Sequence, residues 1–181
     1  MKITIDIIKG KDLTEDLIQK LNKIWNKAFS SKPMKEYEKD NFFLVYDDKK
    51  LVSVGRLIPK KITYLGKKYN FLGIGYIVAI VKGKGYGKIL VNSMLNYLKK
   101  KNKTGAGFCD RKNSQFYIKS GLNVGAGLAK RFYFPTPTKN DKENLEEFYE
   151  DNHNVIYWEG KEKPIANILK TKQKILIDKP W

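Results

Sequence analysis

The segment Lys82-Gly83-Lys84-Gly85-Tyr86-Gly87 constrains the chain more than any other. It follows a strand-like apolar stretch over residues 69–77, with residues 78–87 as its loop. It opens a helix-like stretch from Lys88 to about residue 101, whose apolar positions Ile89 or Leu90, Met94, Leu95 and Leu98 recur at helical spacing. Glycines at this density let a backbone adopt dihedrals closed to other residues and approach a ligand closely. The amides at the start of the helix have no partner within it, and the helix dipole favours an anion beside them. Lys82, Lys84 and Lys88 add positive charge to the same place. The pattern predicts a strand–loop–helix cradle for a phosphate group. The plainer alternative is a glycine turn with solvated lysines.

Two common phosphate motifs do not fit. A nucleotide-triphosphate loop needs four residues between its first glycine and a Gly-Lys-Ser/Thr triplet, with the hydroxyl on magnesium. Here Lys88 is followed by Ile89 and the glycines are closer. The dinucleotide fingerprint needs Gly-x-Gly-x-x-Gly in a parallel unit. This loop is Gly-x-Gly-x-Gly and is preceded by segments that read as antiparallel hairpins.

The remaining elements follow from periodicity and capping. Residues 2–8 alternate as a strand through Ile3, Ile5 and Ile7. Asp12 or Thr14 caps a helix running to about Phe29, with the apolar stripe Leu17, Leu21, Ile24, Trp25 and Phe29. A short helical piece is expected over residues 33–39, then strands over 41–47 and 51–64, with Pro59 marking a bend or an edge. After the glycine loop and its helix come a strand over 104–109, a helix over 113–120 stopped by Gly121, and a strand-like stretch over 122–134. An acidic helix over 144–150, a strand over 154–159, a helix over 164–170 and a strand over 174–178 complete the chain. A single domain over 1–181 is expected, with residues 135–181 as a C-terminal portion completing the sheet. The order is that of a mixed α/β fold.

Charge and composition narrow the partners. Lys and Arg number 36 against 19 Asp and Glu, a formal net charge of +17. Only Arg56, Arg111 and Arg131 are arginines, whereas bidentate phosphate and base recognition uses Arg. The lysine excess therefore reads as much as a solvated surface as a nucleic-acid footprint. The longest apolar run, residues 71–81, falls well short of the roughly 20 residues of a membrane span. With no secretory core at the N-terminus, a cytoplasmic location is the default and no membrane partner is expected. Cys109 is the lone cysteine and His153 the lone histidine, so neither a disulfide nor a zinc site of ordinary ligand type is expected. Cys109 reads as a buried structural thiol, and His153 sits in a polar stretch away from any nucleophile-like motif.

The run from Lys82 to Gly87 resembles the Arg/Gln-x-x-Gly-x-Gly/Ala pyrophosphate loop of the GCN5-related N-acetyltransferase (GNAT) superfamily, with Lys82 in place of Arg or Gln. Residues 113–122, with Phe116 and Tyr117 before Gly121 and Leu122, resemble that family's Phe-Tyr-x-x-x-Gly-Phe helix, one helix, one strand and one turn downstream. The resemblance implies an acyl-CoA N-acyltransferase fold: a central mixed, mostly antiparallel, twisted sheet flanked by helices and splayed at the cofactor cleft. It implies acetyl-CoA as acetyl donor, with no metal. The loop Lys82, Gly83, Lys84, Gly85, Tyr86, Gly87 and Lys88 would take the pyrophosphate. The Gly75-Tyr76-Ile77 backbone would take the pantetheine arm as an added strand, and an amide near Ile77 or Val78 would polarise the thioester carbonyl. Asn113 and Phe116 would lie along the cofactor, and Tyr117 would be the general acid for the leaving thiolate.

For the general base, Asp110, Tyr76, Asp178 and the C-terminal carboxylate are all open. The acceptor is a small-molecule or protein amine, and the family also admits a homodimer. The last residues, 177–181, resemble distantly the aminoglycoside 2′-N-acetyltransferase branch, for which Glu143, Glu146, Glu147, Glu150 and Asp151 would form a cation-binding patch. The net charge argues against a strongly cationic acceptor. The competing classes are a basic nucleic-acid-binding module, with residues 99–103 as its patch, and a non-catalytic acyl-CoA-binding sensor.

Overall fold

The computed structural model describes residues 2–133 and 153–177. The expected acidic helix over 144–150, the acidic patch and the tail 178–181 lie outside the described residues. The fold is mixed α/β, an open and mostly antiparallel sheet with flanking helices. The chain divides into two compact units, Met1–Ile58 with Ile74–Met94, and Pro59–Gly73 with Leu95–Trp181.

In the first unit, β1 (Ile3–Lys9) pairs antiparallel with β2 (Asn41–Asp47), and β2 with the first half of β3 (Lys50–Tyr64). Between β1 and β2 runs α1 (Glu15–Phe29). Thr14 rather than Asp12 caps it: its hydroxyl accepts from the Leu17 amide at 3.4 Å, while Asp12 closes a separate turn, Gly10–Asp12. Ser30, left-handed at φ 53°, ends the helix. Leu21 and Trp25 of its stripe bury against Phe42, Leu44, Leu51 and Val54. The piece at 33–39 is not helical. Glu36 stands at φ 52°, a left-handed dihedral that a helix cannot contain.

β4 (Lys67–Ala79) follows β3 across the hairpin at Leu65 and Gly66 and runs two residues further than the sequence suggests. Pro59 lies inside β3, past the end of the β2 ladder at Leu57 and before the ladder that Ile62 and Thr63 form with residues 176–177. On that side of β3 its missing N–H leaves neither ladder a bond short.

In the second unit, β4 pairs with β5 (Gly105–Asp110) in a parallel ladder of Leu72↔Gly105 and Gly73↔Ala106. β5 pairs antiparallel with β8 (His153–Trp158), and β8 with β6 (Asn123–Gly125). β9 (Ile175–Ile177) pairs with β3 and with the short β7 (Phe132–Tyr133). The strand-like stretch over 122–134, which Gly125 and Gly127 already weaken in the sequence, holds two short strands. Gly127, at φ 68°, breaks it and starts the turn Leu128–Arg131. α3 (Ser114–Lys119) and α4 (Pro164–Leu169) are single short helices. The core of this unit gathers Ile62, Tyr64, Phe71, Val155, Ile165 and Ile168 with Phe132 and Ile175. α2 (Tyr86–Lys101) contributes buried residues to each unit, Leu90 and Met94 to the first, Leu95 and Leu98 to the second. Among the described residues no helix is long and apolar enough to cross a membrane.

Candidate functional site

The first unit builds its site on a distortion in β4. Tyr76 lies at φ 55°, a left-handed dihedral that costs a non-glycine residue roughly 1–2 kcal/mol. Its surroundings hold it there. The indole Nε1–H of Trp25 donates to the Tyr76 carbonyl at 2.8 Å, and the two rings meet edge to face at 5.3 Å. The Arg56 guanidinium stands 4.7 Å from the Tyr76 ring centroid, 5.2 Å from Phe42 and 5.6 Å from Trp25. Arg56 is 5% exposed, and Asp40, 2% exposed, neutralises it by accepting from both Nε (3.0 Å) and a terminal nitrogen. In a planar trans peptide the C=O and the following N–H point opposite ways. Trp25, holding the Tyr76 carbonyl, thus aims the Ile77 N–H away from α1. Ser53 Oγ donates to the Val78 carbonyl at 2.9 Å and fixes the next peptide plane but one in the same manner.

From there the chain enters the glycine turn. Ile80 N and Val81 N both donate to the Val52 carbonyl, at 2.9 and 3.3 Å, and moor the approach. Gly83 and Gly85 take φ of 76° and 77°, and a Cβ at either would meet nothing within 4 Å. The requirement for glycine there is conformational, and the space in front of the turn is open. Lys82, Lys84 and Lys88 are exposed around it. The Gly85 carbonyl accepts from the amides of Lys88 and Ile89 at 3.0 and 3.1 Å, which starts α2 at Tyr86, two residues ahead of the boundary read from the sequence. The amides of Tyr86 and Gly87 fall in the first turn, where no carbonyl of the helix reaches them. Tyr86 takes an anchoring part: its ring is buried and its hydroxyl donates to the Asp47 carboxylate at the end of β2. That bond pushes the phenol pKa up.

The second unit places Asn113, Phe116 and Tyr117 at the end of β5. Asn113 closes a turn, Arg111–Asn113, ahead of α3 and is exposed, and its side chain makes no capping bond. Phe116 is 38% exposed and stacks edge to face on Tyr117 at 5.0 Å. The Tyr117 phenol pKa is pushed up to about 12, by burial first and then by Cys109 and Asp110. It therefore stays protonated at any ordinary pH. Burial also pushes the Cys109 thiol up, against a lowering bond from Ser114. A thiol so held is a poor nucleophile, as its reading as a structural residue expects.

Three residues of this cluster carry no local sign in the sequence. Asn154 Nδ2 donates to Ser114 Oγ at 2.9 Å, and Cys109 Sγ lies 3.9 Å from the same oxygen. His153 Nε2 stands 3.5 Å from Asp110 Oδ1, and Lys112 Nζ stands 3.3 Å from the other carboxylate oxygen, Asp110 Oδ2. Antiparallel register brings these together, Cys109 opposite Asn154 and Asp110 opposite His153. A polar run such as 150–154 does not announce that pairing.

Residues 9–108, more than half of the chain, match the family model described as the acetyltransferase (GNAT) domain. No curated protein matches the sequence. Among solved structures, an acyl-CoA N-acyltransferase from Pseudomonas aeruginosa superposes with a TM-score of 0.58 at 14% identity, over 86% of this chain and 99% of that one. A Bacillus subtilis acetyltransferase in complex with CoA gives 0.51 at 14%, over 87% and 99%. A conserved Enterococcus faecalis protein described as a probable N-acyltransferase gives 0.53 at 17%, over 68% of this chain but only 33% of its own length. At these identities the likeness is one of fold.

Proposed function

Because the chain belongs to the GNAT acetyltransferase family, we propose that it transfers the acetyl group of acetyl-CoA to a primary amine by direct attack. The observation that carries this reading is the open turn of left-handed Gly83 and Gly85 at the start of α2, ringed by Lys82, Lys84 and Lys88. Its geometry fits a pyrophosphate, with the α2 dipole and first-turn amides of Tyr86 and Gly87 completing the cradle. When bound, acetyl-CoA supplies a thioester whose carbonyl carbon accepts the amine.

The chain's own groups then do four things. Lys82, Lys84 and Lys88 neutralise the phosphates. The backbone of Tyr76, Ile77 and Val78 pairs with the pantetheine arm as an added strand, and the amide of Ile77, aimed by the Trp25 bond, faces the developing oxyanion. Asn113 and Phe116 flank the arm. Tyr117, kept protonated, gives its proton to the departing thiolate, and the proton that the attacking nitrogen loses restores the phenol. The acceptor we propose is a neutral or acidic small molecule with a primary amine, or a protein amine. The net charge of +17 disfavours the polycationic substrates of the aminoglycoside branch, whose distinguishing tail lies outside the described residues.

The test is release of free CoA thiol from acetyl-CoA against a panel of amines that spans neutral, acidic and polycationic acceptors. Turnover on at least one neutral or acidic amine is expected. Acetyl-CoA binding with no turnover on any amine would favour a sensor instead.

The cradle makes a separate prediction. A Cβ at Gly85 must adopt φ near 77°, costing roughly 1–2 kcal/mol, or displace the turn. Gly85→Ala is therefore expected to raise the Kd for acetyl-CoA about tenfold by calorimetry. Gly66→Ala is the control: its φ of 73° imposes the same strain in the β3–β4 hairpin, with the same open space, and Kd should not change. Equal effects in both variants would mean the loss is one of stability alone.

A further inference from the structure

We infer that Ser114 and Asn154 are positioning residues for Tyr117, an inference that deepens the transferase reading and rests on it. α3 spans only Ser114–Lys119, too short to hold its direction in water by itself. No side chain caps its N-terminus. Its orientation must come from tertiary contacts, and the polar contact at its first residue is a built one. Ser114 from α3, Cys109 from β5 and Asn154 from β8 are 8%, 6% and 7% exposed and meet at one hydroxyl. The Ser114 Oγ accepts from Asn154 Nδ2 at 2.9 Å and stands 3.9 Å from Cys109 Sγ. Tyr117 follows Ser114 by three residues, so both lie on the same face of the helix. A shift of α3 against the sheet moves the phenol with it.

The energetics of Asn154 point to a role beyond packing. Its Oδ1 is buried and makes no hydrogen bond among the described residues. A buried amide satisfied on one side only is a net cost, which an apolar side chain in the same place would not carry. What Asn154 supplies in return is the N–H that ties the start of α3 to β8. Asp110 and Cys109 are the ionisable groups that act on the Tyr117 phenol, and Asp110 is itself paired with His153 and Lys112.

The test is a double-mutant cycle with two readouts. Free CoA thiol is followed for acetyl-CoA with the best acceptor of the amine panel, with the uncatalysed release subtracted. Ser114→Ala is expected to lower kcat on the order of 10- to 10²-fold with the Kd for acetyl-CoA unchanged, and Ser114→Thr to restore it. In a Tyr117→Phe background the same Ser114→Ala change is expected to cost nothing further, because the group it positions is gone. The second readout needs no turnover. The absorbance titration of wild type minus Tyr117→Phe isolates the Tyr117 phenol, and Ser114→Ala should bring its midpoint down from about 12 towards the ordinary 10.0 as water reaches the ring. Asn154→Ala, which removes the donor without overpacking the site, carries the same cycle if Ser114→Ala fails to fold. Additive losses with an unmoved titration overturn the positioning role alone. If Tyr117→Phe by itself leaves kcat unchanged, the general-acid reading falls and this inference with it.

Discussion

Tyr117→Phe is expected to lower kcat for thiol release by about 10²-fold or more while leaving the Kd for acetyl-CoA as it is. The substitution keeps the ring, its edge-to-face contact with Phe116 and its packing, and removes one proton. A loss confined to kcat marks a group that acts in the transition state. The pH dependence follows from the same phenol. A general acid must be protonated, and with a pKa of about 12 Tyr117 remains so far above neutrality. The wild-type kcat should therefore show no basic limb from this residue below about pH 11. Any earlier limb belongs to another group. The linkage to stability has a definite sign. The unfolded phenol ionises near 10.0 and the folded one near 12, so folding stability falls as pH rises from the first value towards the second. Alkaline unfolding of Tyr117→Phe, compared with wild type, should lack that component.

Arg56→Ala is expected to cost about 3–5 kcal/mol of folding stability, because it removes the buried guanidinium that neutralises the buried Asp40 carboxylate. It also empties the space between Trp25, Phe42 and Tyr76. For a chain of this length the loss corresponds to a fall in Tm of roughly 10 °C, readable by calorimetry. Loss of the cage should release the left-handed Tyr76 and with it the aim of the Ile77 amide. Any Arg56→Ala protein that does fold is then expected to bind acetyl-CoA more weakly than wild type. A Tm within about 1 °C of wild type would contradict the structural role given to the pair.

The glycine cradle was legible because its signal is local. Spacing, the preceding strand and the following helix all sit within one stretch of chain, and the left-handed dihedrals of Gly83 and Gly85 are what glycine in that spacing implies. The β2 strand, Asn41–Asp47, was likewise plain from its unbroken apolar and aromatic run. The positive φ of Tyr76 has no sign in the sequence, since nothing local makes a tyrosine adopt it. The cause lies 51 residues away, in the Trp25 indole. Helical spacing shows Trp25 only as one apolar position in a stripe, whereas its polar edge matters as much as its ring. The Asn154–Ser114 bond spans 40 residues and depends on β8 register, which neither residue reveals alone. The left-handed Glu36 interrupts the polar piece over 33–39 with no local sign, whereas Gly127, which interrupts the stretch over 122–134, is a glycine that the sequence itself marks as a weak point for a strand.

The proposed function rests first on the open turn at Gly83–Gly85 as the seat of the acetyl-CoA phosphates. Calorimetric titration of acetyl-CoA into the intact chain tests it most directly. Saturable binding with a Kd between about 1 μM and 1 mM is predicted, weakened by Gly85→Ala and unaffected by Tyr117→Phe. No heat of binding at acetyl-CoA concentrations of several times about 1 mM would contradict it.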